Sequence, residues 1–121
     1  MSMKIWVDDI RTAPEGWHHA RTVTEAIRVI GMFPEEITHI SLDHDISYQV
    51  EVAGVSRPFP SPEDFSAVAY YIVMALMGPW KISVHSANPV GAKKILAILK
   101  EGGIKAEYKP MGPANRLEME V

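Results

Sequence analysis

Four short apolar runs, each stopping abruptly on polar or charged residues, constrain this chain more than anything else in it. "MKIWV" (3–7) stops at Asp8-Asp9, "ITHISL" (37–42) at Asp43, "WKISV" (80–84) at His85-Ser86, and "IKAEY" (104–108) at Lys109. Runs of this length and composition read as strands. Amphipathic segments lie between them. Thr22 and Glu25 form a T-x-x-E capping pattern, and Ala26, Ile27, Val29, Ile30 and Phe33 follow at helical spacing, so a helix is expected over roughly 23–33, ended with the help of Pro34. A second helix is expected from Pro62 to about Met77, with Ser61 as N-cap, Asp64 near the N-terminal dipole, and a buried stripe of Phe65, Val68, Ala69, Ile72 and Leu76. Gly78-Pro79 would stop it. A third opens on Asn88 and Pro89, runs to about Lys100 and closes on Gly102-Gly103.

The rest of the chain reads less regularly. "RTAPEGW" (11–17) is a loop and "HHARTV" (18–23) a short strand. In the segment 46–61, "YQVEV" before Gly54 fits a small hairpin and "SRPFPSP" a loop. That connection is long, so it is expected to act as a substrate lid. "RLEMEV" (116–121) alternates after "PMGPAN", which predicts an antiparallel strand at the sheet edge. Strands alternating with helices imply an α/β fold with a mainly parallel sheet, right-handed crossovers and helices on both faces, a three-layer α/β/α arrangement. No repeat or linker divides residues 1–121, so a single domain is expected.

Composition narrows the function classes. The chain has 121 residues, 47% of them hydrophobic, enough for a real core. A net charge of −3 argues against an extended nucleic-acid surface but not against a small phosphorylated ligand. There is no cysteine, so thiolate ligands, thiol nucleophiles and disulfides are excluded. The start lacks a long apolar signal segment, and no apolar run is long enough to span a membrane, so a cytoplasmic protein is expected.

Ligands of an open parallel sheet bind beyond the carboxyl ends of its strands. At those ends stand Asp8, Asp9 and Arg11, then Asp43, His44 and Asp45, then His85, Ser86 and Asn88, and finally Lys109. Each group alone has an ordinary explanation: a polar strand end, a core histidine, a helix cap, a solvated lysine. Together they favour one edge of the sheet. Several carboxylates at one point repel one another unless a cation joins them, and hard oxygen ligands favour Mg²⁺, with Mn²⁺ or Zn²⁺ also allowed by nearby imidazoles. Asp8, Asp9, Asp43 and Asp45 are the candidate ligands. Arg11 and Lys109 supply positive charge, and the helix opening at Pro89 offers N–H groups to an anion, with Gly91 leaving room for an oxygen to approach. His18, His19 and His39 have no such company and are assigned structural roles.

The acid pair after the first strand, the strand-end Asp43, Ser86 and the pair Lys109-Pro110 resemble response-regulator receiver domains. The motifs "WVDDIR", "LDHD" and "HSANPVG" are more similar still to the cyclic-phosphate processing receiver-like family, a divergent branch. The resemblance covers nearly the whole chain. It implies a flavodoxin-like fold and a site of Asp8, Asp9, Arg11, Asp43, His44, Asp45, His85, Ser86, Asn88 and Gly91. Relative to ordinary receivers, the first and last helices are expected to be reduced or absent. Two histidines and Arg11 enter the pocket, and an imidazole moves protons near neutral pH. The implied function is a metal-dependent phosphoesterase acting on a cyclic phosphate of a nucleotide or an RNA end. Asp43, His44, His85, Arg11 and Lys109 would be catalytic, with Ser86, Asn88 and Gly91 binding phosphate. The alternatives are a signalling receiver with Asp43 as phosphoacceptor, or a non-catalytic cyclic-nucleotide binder.

Overall fold

The computed structural model describes residues 2–75 and 80–110, with only the backbone described for 45–52 and 56–63. Its elements run β1 (Met3–Val7), β2 (His18–Ala20), α1 (Val23–Met32), β3 (Ile37–Leu42), β4 (Asp45–Val52), β5 (Val55–Asp64), α2 (Ser66–Ala75), β6 (Lys81–Ser86), α3 (Pro89–Glu101) and β7 (Ala106–Pro110). Five strands form one parallel sheet in the order β2-β1-β3-β6-β7, and β4 pairs with β5 as a separate antiparallel hairpin. The chain steps outward from β1 to β2, then returns past β1 to β3. That reversal is the switch point of a flavodoxin-like α/β fold, and it lies between the carboxyl ends of β1 and β3.

Handedness then fixes the layers. From β2 onward every crossover travels in the same direction across the sheet, and right-handed connections place their helices on one face. The buried residues of all three helices share one core with alternate strand residues. Ala26 and Ile30 of α1, Phe65 and Ile72 beside and within α2, and Ile95 and Leu99 of α3 meet Ile5, Val7, Ile40, Leu42, Ile82 and Val84. Strand alternation turns Trp6, Ser41 and Ser83, mutual neighbours in register, to the opposite face. No helix among the described residues covers that face. Residues 8–17 join β1 to β2 without a helix, and β7 is the last described element. Among the described residues the first helix, expected to be reduced or absent, is missing, and no helix lies on the second face of the sheet; residues 111–121, where a last helix would fall, lie outside them.

Two other expectations change. The C-terminal antiparallel strand expected over 116–121 lies outside the described residues and is not borne out. The edge strand that is described, β7, runs parallel to β6. The segment 46–61 is strand for nearly all its length, and α2 starts at Ser66 instead of Pro62. A two-stranded ribbon tolerates Pro58, Pro60 and Pro62 because residues spaced by two turn their missing N–H toward the same side. Asp64, not Ser61, then serves the start of α2: the backbone N–H and hydroxyl of Ser66 both donate to its Oδ1, the former at 2.8 Å. The caps at Thr22 and Asn88 fall where the sequence puts them, accepting from the N–H of Glu25 at 3.0 Å and of Gly91 at 3.1 Å. No described helix is long and apolar enough to cross a membrane.

Phe65 joins the hairpin to the core. Its side chain is fully buried, and its N–H donates to the His44 carbonyl at 2.9 Å. Phe65→Ala is expected to cost about 3–5 kcal/mol in urea unfolding.

Candidate functional site

Parallel register carries β1 and β3 side by side to Val7 and Leu42, so the next residues, Asp8 and Asp43, arrive together at the switch point. Both are almost fully buried. The ligand oxygens of Asp8, Asp9 and Asp43 all lie within 4.8 Å of one another. Asp8 Oδ1 accepts from the N–H groups of Ile10 and Arg11, each at 2.9 Å, which folds the loop back over the acids. That fold brings Arg11 Nη1 to 3.6 Å from Asp8 Oδ2 and 3.7 Å from Asp43 Oδ2. A single buried guanidinium thus bridges two buried carboxylates.

One positive charge does not satisfy both. Burial, then repulsion from Asp8, pushes the Asp43 carboxyl up to about 7, against a hydrogen bond from the His44 N–H, the charge of Arg11 and a hydrogen bond from the Ser86 hydroxyl. Asp8 goes the other way. Burial opposes its ionisation, but hydrogen bonds from His85 and from the Arg11 and Ile10 N–H groups outweigh burial and hold the carboxyl below its usual range. Of the two, Asp43 is therefore the carboxyl that more readily takes up a proton. Three hard oxygen donors short of positive charge fit a divalent cation, and Asp8, Asp9 and Asp43 are the residues that would hold it. Asp45 opens β4, and its side chain lies outside what the structure describes.

The two histidines serve differently from each other. His85 is 1% exposed and both ring nitrogens are engaged: Nε2 with Asp8 Oδ2 at 3.0 Å, Nδ1 with Ser41 Oγ at 2.7 Å. Its ring stacks on Trp6 with centroids 3.6 Å apart. Burial holds the imidazole below its ordinary range despite the Asp8 charge. A neutral ring donating from Nε2 to an ionised Asp8 must accept at Nδ1, so Ser41 donates there and itself accepts from Ser83 at 2.9 Å. The result is a directed chain, Ser83 to Ser41 to His85 to Asp8, which orients one carboxylate. His44 turns toward α3. Its Nε2 is 3.2 Å from Asp64 Oδ2, and its ring lies where a Cβ on Gly91 would fall, 2.2 Å from Nδ1. Gly91 therefore makes room for His44, where the sequence suggested room for a phosphate oxygen.

The remaining candidates divide similarly. Ser86 is fully buried beside Asp43, and its Oγ also accepts from the Asn88 N–H at 3.1 Å. Asn88 caps α3. Lys109 is exposed and paired in register with His85, and no hydrogen bond or ion pair among the described residues joins it to the acids. Sequence reasoning missed Asp64, which ion-pairs with both His44 and Lys94, because it read as a helix-dipole residue. It also set aside His19, whose Nε2 donates to the Asp8 carbonyl at 2.6 Å.

Two measurements check this geometry. Gly91→Ala is expected to destabilise by about 1–3 kcal/mol, and the cost should largely vanish in a His44→Ala background, as read by a double-mutant cycle. The second concerns pH. Asp43 ionises near 3.8 when unfolded and near about 7 when folded, so the folded state holds the extra proton between those values. Its contribution to stability is full below that window and lost as pH rises through about 7. In chelator, Asp43→Asn should therefore gain on the parent as pH rises through this window, by on the order of a few kcal/mol in chemical denaturation.

No curated protein and no solved structure matches the chain. With its acids at the switch point of a parallel sheet, and with a family model matching residues 3–101, the chain belongs to the cyclic-phosphate processing receiver domain family.

Proposed function

We propose that this protein is a metal-dependent phosphoesterase that opens a cyclic phosphate, of a nucleotide or an RNA end. The observation that carries this reading is the carboxylate cluster of buried Asp8 and Asp43 with half-buried Asp9, in which burial and repulsion from Asp8 push the Asp43 carboxyl up to about 7 despite Arg11. Mg²⁺ suits these hard donors best, with Mn²⁺ or Zn²⁺ as alternatives. Held by Asp8, Asp9 and Asp43, such a cation would supply Lewis acidity toward a phosphoryl oxygen and a water.

The chain's own residues do the rest. Arg11, already between two acids, donates N–H groups to charge developing on the phosphoryl oxygens, and the Ser86 hydroxyl beside Asp43 does the same. Of the two imidazoles, His44 keeps some exposure, 13% of its side chain, and has a carboxylate to orient it, so proton transfer is assigned to His44. His85 is instead a positioning residue for Asp8. Lys109 adds positive potential at the rim.

A second reading, phosphoacceptance at Asp43, is favoured by the hydrogen bond between the Ser86 hydroxyl and the Asp43 carboxylate. Labelling by acetyl phosphate that disappears in Asp43→Asn, without turnover, would select it. A binder without chemistry would retain a cyclic nucleotide intact and need no metal.

The decisive measurement is a panel of 2′,3′- and 3′,5′-cyclic phosphates incubated with Mg²⁺, Mn²⁺ or Zn²⁺. Ring opening is expected with at least one, reduced about 100-fold or more by Asp8→Asn. A panel left intact with every metal overturns the proposal.

A further inference from the structure

The sheet face opposite the helices carries groups that the acid site does not use. Register aligns Lys4, His39 and Lys81 in one row across β1, β3 and β6. Four residues further along β1 and β3, on the same face by strand alternation, stand Asp8 and Asp43, about 13 Å away. Lys4, Lys81 and Lys109 are exposed, and none of the three makes an ion pair among the described residues. Burial, then the charges of these same lysines, holds the His39 imidazole below its usual range, so their fields converge there. Trp17 borders the row, 6.1 Å from the His39 ring and 5.7 Å from Lys4 Nζ. The Trp6 indole N–H, buried on this face, has no hydrogen-bond partner among the described residues.

We propose that this face is a docking track for the nucleotides upstream of a terminal cyclic phosphate, so that the substrate is the 3′ end of a single-stranded RNA. The inference rests on the phosphoesterase reading for the chemistry, but the track is argued from charge and register. Upstream phosphates meet Lys4 and Lys81 while the terminal ring reaches the acids. Trp17 offers a π-face to a base, the usual partner of a basic groove in single-strand binding. Only a ribose end carries the 2′-hydroxyl that closes a 2′,3′-cyclic phosphate. An acidic peptide would satisfy the lysines but gives no reason for their alignment with the acid site. In a chain of net charge −3, a local basic row also orients a polyanion.

The test is fluorescence anisotropy in Mg²⁺ with a 5′-labelled oligoribonucleotide of about six residues ending in a 2′,3′-cyclic phosphate. The matching mononucleotide is measured by competition. The RNA should bind at least about tenfold tighter than the mononucleotide. Lys4→Glu combined with Lys81→Glu should abolish that advantage and reduce the slope of log affinity against log salt by about 1.4. Affinity for the mononucleotide, and its turnover, should not change. Equal affinities for RNA and mononucleotide, or RNA binding indifferent to the double substitution, would overturn the proposal. So would a dimer that Lys81→Glu dissociates, since a second copy would then own the face. Binding is read without turnover, so failure of the phosphoesterase reading and failure of the track are separable.

Discussion

The burial of Asp8 beside Asp43, with the repulsion that adds to it, is the constraint around which the rest of the site is arranged. The parallel register of β1 and β3 forces the two carboxylates together in a nearly water-free place, where neither charge is screened. Everything nearby answers that cost. The 8–11 loop turns two N–H groups and a guanidinium inward, His85 supports Asp8 from below, and Ser86 meets Asp43 from β6. The compensation is lopsided in its effect: Asp8 is held below the usual carboxylate range, while the Asp43 carboxyl is pushed up to about 7.

The inserted hairpin belongs to the same arrangement. β4 leaves directly after His44, and β5 returns at Asp64, whose backbone pairs with that of Asp45. The hairpin thus delivers a carboxylate to the histidine beside the acid cluster, and Gly91 lets that histidine lie flat on α3. A chain could reach α2 with far fewer residues. The longer route sets the tilt of His44 from both sides.

Much of this was legible in the residues. Strand-end chemistry at Asp8, Asp9, Asp43, His85 and Ser86 pointed to one edge, because apolar runs that stop on charge mark where parallel strands leave the core. The caps at Thr22 and Asn88 were legible because their signals are local. What was not legible depended on contacts distant in sequence. Pro58 and Pro60 read as loop, and Pro62 as a helix start, because a proline's fitness for a ribbon depends on which side its absent N–H faces. Gly91 read as space for a ligand because nothing in the sequence says that His44 lies against it. His85 read as a reacting imidazole, since only tertiary structure reveals that Ser41 and Asp8 take both nitrogens. A sheet face without a described helix ran against the expectation of helices on both faces, and its alignment of Lys4, His39 and Lys81 required the register.

The stacking of Trp6 on His85 has an optical consequence. The indole lies against an imidazole that is itself bonded to Asp8, so a change in charge among the acids is only two contacts from a chromophore. Trp17 meets Trp6 edge-on, and Trp80 is held apart by its hydrogen bond to the Pro34 carbonyl. The molecule therefore carries a native fluorophore against its acid centre, readable without labels.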